Sequence, residues 1–115
     1  MTHPALALQK AVYATLVADA ATGALIGDRI YDAMPRAATF PYVSFGDGTV
    51  RDWSTGSEDG AELRLVLHAW SREHGRRETW SILEALKDVL HDAALELDGH
   101  VLVNLRFEFA DAAID

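Results

Sequence analysis

Residues 61–71, with the sequence AELRLVLHAWS, show the clearest alternation of apolar and polar side chains in the chain. One face of this stretch is apolar and comprises Leu63, Leu65, Leu67 and Ala69. The opposite face is mixed and comprises Glu62, Arg64, Val66, His68 and Trp70. A period of two is typical of a β-strand, and a single apolar face indicates burial on one side only. We therefore predict a half-buried strand over these residues.

The N-terminal part of the chain predicts an amphipathic helix. Residues 5–20 are rich in alanine and leucine, with an apolar stripe at four-residue spacing that comprises Leu8, Val12 and Leu16. Pro4 suits the first helical turn, and Thr2 or His3 suits the N-cap. Gly23 is expected to end the helix, because glycine readily adopts the backbone conformation of a helix C-terminus.

A second helix is predicted over residues 76–92. Its apolar stripe comprises Leu83, Leu86 and Leu90, flanked by Trp80, Ile82 and Val89. Its other side is polar and comprises Arg77, Glu84, Lys87, Asp88 and His91. This pattern indicates a helix that packs on a core with one face and meets water with the other.

Two stretches before residue 61 predict further strands. Residues 29–32 are expected to form a short strand, and residues 42–50 are expected to form a longer one. Gly46-Asp47-Gly48 lies inside the longer strand, where glycines usually mark a β-bulge or a bend. The two stretches add strands to the one predicted over residues 61–71.

The C-terminal part of the sequence predicts a hairpin. Residues 95–97 are extended, Asp98-Gly99 is a strong turn signal, and residues 101–109 alternate strictly. The apolar set of the last stretch comprises Val101, Val103, Leu105, Phe107 and Phe109. Helices and strands in this order predict an α+β fold, with a largely antiparallel sheet of about four to five strands and two helices packed on one face.

Composition is consistent with one domain spanning residues 1–115, of which 50% are apolar. The absence of cysteine excludes disulfides and thiolate metal sites. A net charge of −8 argues against binding to nucleic acid or to an anionic membrane surface. The apolar runs are too short to span a bilayer, and no signal peptide is predicted at the N-terminus. We expect a protein of a reducing compartment.

The titratable residues do not form a recognisable catalytic pattern. No two histidines stand at helical i, i+4 spacing, and no Gly-x-Ser-x-Gly elbow occurs. His68 lies on the mixed face of its strand, where a packed or interfacial histidine is the simpler interpretation. The acidic pair Glu58-Asp59 lacks the spaced oxygen ligands of a calcium loop. We predict no catalytic residue, no metal site and no cofactor.

The tryptophans and the loop 51–60 point to a protein interface. Core packing is the expected role of Trp80 and Trp70, whereas Trp53 lies in a polar loop and is harder to bury. An exposed tryptophan is a typical interface anchor, although Trp53 could instead fold back onto the edge of the core. The predicted interface residues are Trp53, Arg51, Asp52, Glu58, Asp59, Arg72 and Arg76.

A series of short motifs runs along nearly the whole chain. In order they are Tyr13, LIGDRIYD (25–32), Pro35, FPYVSFG (40–46), LVLHAWS (65–71), ILEAL (82–86) and LELDG (95–99). This order resembles the tail completion, or tail terminator, proteins of long-tailed phages and of gene transfer agents. Members of that family usually carry one more strand after Phe109, so the resemblance leaves the edge of the sheet open.

The resemblance implies a structural role in a virion, and no enzymatic activity. Such proteins form a ring, typically a hexamer, on the head-proximal end of the tail tube, where they end tube polymerisation and dock the neck of the capsid. The implied partners are copies of the chain itself, the tail tube protein and the head–neck stopper protein, with no membrane. The implied location is the neck region of the tail, preceded by the cytoplasm of the bacterial host.

DNA would pass through the lumen of such a ring without specific binding, and acidic side chains would favour sliding. Asp47, Glu58 and Asp59 are candidates for the channel wall. Two alternatives remain open at this point. One is another head–tail connector, such as a stopper or neck subunit, and the other is a small ligand-binding or enzymatic domain with a pocket between sheet and helices.

Overall fold

The computed structural model describes residues 3–33, 35–52, 54, 56, 60–73, 76–108 and 110. Within these ranges the chain forms three helices and five strands. In chain order they are α1 (Pro4–Ala18), α2 (Ala20–Ile26), β1 (Ile30–Tyr31), β2 (Tyr42–Phe45), β3 (Thr49–Asp52), β4 (Ala61–Arg64), β5 (Leu67–Trp70) and α3 (Arg77–Leu90). The predicted α+β class is confirmed.

The start of α1 is capped as the sequence predicted. The backbone N–H of Ala5 donates to His3 Nδ1 at 3.0 Å, and Pro4 occupies the first helical turn. The alternative cap, Thr2, lies outside the described residues. A side-chain acceptor at this position satisfies one of the N–H groups that a helix N-terminus leaves unpaired.

The predicted single helix over residues 5–20 is divided at Asp19. The backbone of Asp19 is extended (φ −81°, ψ 124°), which ends α1. Its carboxylate accepts the Thr22 N–H at 2.9 Å and the Thr22 hydroxyl at 2.7 Å, so the same residue starts α2. α2 runs through Gly23 and ends at Gly27, whose φ of 60° suits a glycine C-cap. The expected end at Gly23 was therefore wrong, because the Asp19 cap starts a new helix.

Three strands form a mixed sheet in the order β1-β2-β5. β1 runs parallel to β2, with Ile30 opposite Val43. β5 runs antiparallel to β2, with Ala69 opposite the same Val43. Since Val43 is fully buried, this central strand places the middle of the sheet directly on the core.

A bulge at Gly46-Asp47-Gly48 separates β2 from β3, as the glycines predicted. The Gly46 N–H donates to the Val66 carbonyl at 2.8 Å, whereas the next paired residue, Thr49, lies opposite Arg64. Between these two pairings, Asp47 and Gly48 lie opposite the single residue Leu65, which is the arrangement of a β-bulge. Beyond the bulge, β3 and β4 form a separate two-stranded sheet, which we call the arm (residues 49–64). The predicted single sheet is thus two sheets, of three strands and two.

The core lies between the helices and one face of the three-stranded sheet. Its buried members are Leu8, Val12, Leu16, Ile26, Ile30, Val43, Ile82 and Leu86. The apolar face predicted over residues 61–71 packs against them through Leu63, Leu65, Leu67 and Ala69. This confirms both the strand face and the helical stripes that the sequence predicted.

Three sequence predictions differ from the structure outside the core. Trp70 and Trp80 were expected to be packed inside, but their residues are 40% and 45% exposed. The C-terminal segment, which we define as residues 101–108, was expected to be a strand, yet none of its residues is assigned to one. Only the start of the predicted hairpin forms, as a single bridge between Leu97 and His100.

Candidate protein interface

The arm is largely solvent-exposed, although Leu63 of β4 packs against the core. All residues of β3 are exposed, and β4 contributes two exposed and two half-buried residues. Its strands pair in register from Thr49 opposite Arg64 to Asp52 opposite Ala61. An isolated two-stranded hairpin is marginally stable in water, so an exposed hairpin of this kind usually has a partner in its working state.

The base of the loop at the tip of the arm is ordered by side-chain hydrogen bonds. The Ser54 N–H donates to Asp52 Oδ1 at 2.9 Å, and the Gly60 N–H donates to Ser54 Oγ at 3.1 Å. Short polar side chains commonly fix turns in this way. These bonds link Asp52, Ser54 and Gly60 where the two strands of the arm meet the loop.

The predicted interface residues fall into two separate groups. Arg51 and Asp52 lie together on exposed β3. Trp53, Glu58 and Asp59 lie outside the described residues, so their prediction is untested. Arg72 follows β5, and Arg76 immediately precedes α3. The structure does not bring Arg72 and Arg76 into the arm.

Arg72 belongs to a different surface, which the sequence analysis did not identify. Its guanidinium lies 4.3 Å from the centre of the Phe40 ring. A cation over a ring face is attracted by the ring quadrupole. This stacking places Arg72 at the rim of a cluster of aromatic rings on the side of the sheet away from the helices.

We call this cluster the aromatic face, and it comprises Tyr31, Phe40, Tyr42, His68 and Trp70. Phe40 and Tyr42 have ring centres 4.9 Å apart, and Tyr42 and Trp70 are stacked at 6.2 Å. Aromatic rings and arginine are enriched at the energetic centres of protein interfaces. The sequence carried a signal for Trp70, which lies on the mixed face of its strand, but none for Tyr42, which is only 6% exposed.

Two further features of the described residues concern metal-ligating side chains and surface depressions. None of their His, Asp and Glu side chains form a group of three that could hold a metal ion. A depression of about 330 Å³ beside α1 is lined by Gln9, Lys10, Tyr13, Ile30, Asp32 and Phe45. No described helix combines the length and the apolar character needed to cross a membrane.

Among the described residues, two carboxyl groups have shifted pKa values, and each has a local cause. Hydrogen bonds from the Thr22 hydroxyl and N–H lower the pKa of Asp19. The neighbouring carboxyl of Glu78 raises the pKa of Glu73 through a shared hydrogen bond and charge repulsion. Asp19 is the N-cap of α2, whereas Glu73 lies in the loop between β5 and α3, and neither is part of the arm or the aromatic face. Both shifts therefore have local structural causes.

A solved structure resembles this chain closely. It is titled as the virion of a native gene transfer agent particle, and one of its chains superposes with a TM-score of 0.88 at 36% sequence identity. The match covers 96% of this chain and 84% of that one. Among curated protein sequences, none matches this chain significantly. The sequence model of the family described as tail completion protein gp17 matches residues 10–115. Since that match spans most of the sequence, the chain belongs to the family of tail completion protein gp17.

Proposed function

We propose that this chain is a structural protein of a phage-like tail, where copies of it close into a ring on the head-proximal end of the tail tube. The ring ends tube polymerisation and joins the tail to the head–neck complex. Its direct partners are other copies of the chain, the tail tube protein and the head–neck stopper protein. Family membership and the likeness to a chain of a gene transfer agent virion support this proposal.

The observation that carries the proposal is the arm. A largely exposed hairpin is costly for a lone subunit to hold in place, yet its register and its loop base are well defined. The subunit is also elongated, with extents of 52 × 26 × 23 Å. An elongated subunit with a projecting hairpin can contact two neighbours at once, as a ring that sits on a tube requires.

The charge of the chain suits a channel through which DNA slides. The net charge is −8, and a wall without excess lysine and arginine does not release counterions from DNA on contact. Asp47 is exposed at the bulge where the arm begins, so it is the described candidate for the channel wall. No catalysis is part of this role.

Tube assembly in vitro tests the proposal. Purified tail tube protein is allowed to polymerise with and without this chain, and tube lengths are measured by electron microscopy. We expect the chain to bind one end of each tube as a ring and to stop elongation there. Tubes that grow to the same length in its presence, with no density at either end, would contradict the proposal.

The second candidate function is that of another head–tail connector, a stopper or neck subunit that lies between the tail terminator and the head. The aromatic face is the observation that favours it. That surface suits a flat protein partner, and a stopper or neck subunit contacts such partners on both sides. The same assay separates the two roles, because a neck subunit leaves tube length unchanged and binds only to tails that are already capped.

A further inference from the structure

The second half of the C-terminal segment is attached to the rest of the subunit, and its first half, residues 101–104, is not. The segment follows the turn at residues 97–100, whose ends are bridged. Further along, the Leu105 carbonyl accepts the Asp92 N–H at 2.7 Å, which ties the segment to the end of α3. Residues 101–104 lie between these two attachments and form no backbone hydrogen bond with any other described residue.

The free stretch has the side-chain pattern of a strand. Val101 and Val103 are 90% and 89% exposed, and they alternate with Leu102 and Asn104. β-branched residues at every second position favour an extended strand with one apolar face. Two almost fully exposed valines on the same face indicate that this face is covered when the protein is in its working state.

The same chain carries an unpaired strand edge. The hydrogen bond from the Gly46 N–H to the Val66 carbonyl fixes which backbone groups of β5 face β2. Because these groups alternate in an antiparallel pair, Leu67 and Ala69 turn their N–H and C=O groups away from β2. No other strand in the described part of the chain pairs with this side of β5. An open edge of this kind is a template for another strand.

We propose that residues 101–104 of one copy add to the β5 edge of the neighbouring copy as an antiparallel strand. Val103 then lies opposite Leu67, and Val101 lies opposite Ala69. In this register the two valines extend the apolar side of the sheet that packs on the core. A shift of the added strand by one residue would place both valines on the opposite side of the sheet. The side-chain pattern therefore selects this register, or a register shifted by two residues.

A second copy is the occupant that the structure favours. The segment and the edge are present on the same subunit, and in that subunit they do not pair. A contact between two different surfaces of identical chains is head-to-tail, and it produces a ring when the rotation closes. The inference thus rests on the proposed ring and specifies the contact that joins its subunits.

Disulfide cross-linking tests the pairing directly, because the parent chain has no cysteine. In the proposed register His68 of one copy lies opposite Leu102 of the next, at a position where cross-strand Cα atoms are about 4.5 Å apart. His68→Cys and Leu102→Cys chains, one carrying a tag, are co-expressed and oxidised. We expect a covalent heterodimer on a non-reducing gel, and none when Leu102→Cys is paired with Asp88→Cys on α3. A double variant that forms only a disulfide within one chain would overturn the proposal.

A charge on the free face tests whether this contact drives assembly. Val103→Glu changes a side chain that is exposed in the single subunit, so the subunit still folds. We expect at least about a tenfold increase in the protein concentration needed for assembly, measured by sedimentation velocity. Asn104→Glu is the matched control, because it adds the same charge on the opposite face of the segment.

The outcomes separate the contact from the function. The strand contact is overturned if Val103→Glu forms rings as readily as the parent and the cysteine variants form no heterodimer. That result leaves the proposed function standing. A parent chain that is monomeric both alone and on tail tubes contradicts the ring, and the contact with it.

Discussion

The indole N–H of Trp70 donates to the hydroxyl oxygen of Ser44 at 3.0 Å, across the pairing of β5 with β2. Ser44 is buried, with only 7% of its surface exposed, whereas Trp70 is 40% exposed. The buried hydroxyl therefore fixes the orientation of a ring whose surface remains available. A pre-oriented aromatic ring binds a partner at a lower entropic cost than a mobile one does.

Ser44→Ala tests the strength of this bond. We expect the free energy of unfolding to fall by about 0.5–1.5 kcal/mol, because the exposed indole can bond to water once its acceptor is gone. Denaturant unfolding followed by tryptophan fluorescence gives the value. His68→Ala, on the same face, is the control and should change stability by less than about 0.5 kcal/mol. An unchanged value for Ser44→Ala would show that the bond contributes nothing.

Leu86 and Trp80 provide a paired test of the core on one helix. Leu86 is buried in the cluster at the centre of the fold, and Trp80 is 45% exposed. Leu86→Ala should cost about 2–5 kcal/mol, because it opens a cavity that the surrounding side chains only partly fill. Trp80→Ala should cost clearly less in the same thermal or denaturant scan. The reverse order would mean that the face of α3 has been misassigned.

Asp19 gives a pH dependence with a defined sign. Its pKa is lowered from the usual 3.8 by the bonds to Thr22, so its contribution to stability is fully present above that value. The contribution is lost as the pH falls through the lowered pKa. Asp19→Asn should therefore show a smaller drop in melting temperature than the parent on acidification from about pH 5 to about pH 2.

Asp19→Ala removes the cap altogether and serves as the comparison. It should melt below the parent at neutral pH, because the N–H of Thr22 loses its side-chain acceptor at the start of α2. Equal acid sensitivity in the parent and the Asn variant would contradict the assigned role of the Asp19 charge.

Shortening the arm tests its function apart from the fold. Asp52 lies opposite Ala61, so a two-residue Asn-Gly turn can replace residues 53–60 and keep the register. We expect a subunit with the parent's melting temperature, within a few degrees, that no longer caps tail tubes. The intermediate control is Trp53→Ala, which keeps the loop length. If Trp53 is the anchor, this single change reproduces most of the defect. Normal capping by the shortened chain would exclude the arm as a tube contact.

The sequence predicted the parts of the fold that depend on local periodicity. The alternation over residues 61–71 and the stripes on α1 and α3 gave the right faces, because burial on one side imposes that pattern directly. Gly46-Asp47-Gly48 gave the bulge for a similarly local reason. The break at Asp19 was missed, since an aspartate inside an alanine-rich run is compatible both with one helix and with a cap that starts another.

The candidate interface was less predictable, because it depends on how strands are ordered in space. Arg72 and Phe40 are 32 positions apart in sequence, and only the pairing of β2 with β5 brings them together. The division into two sheets follows from the bulge, whose effect on strand direction is not encoded in residue type. The extended pattern of residues 101–108 predicted a strand, but a strand also needs a partner, and in the described part of the subunit this segment pairs with no strand.

Particles made without this chain give the most direct test of the account. Electron microscopy of such particles measures tail length and the fraction of tails joined to heads, with the parent chain supplied in trans as the control. We predict tails of uncontrolled length that do not join heads, and restoration of both properties by the parent. Tails of normal length on normal heads in the absence of the chain would contradict the proposal that it completes the tail.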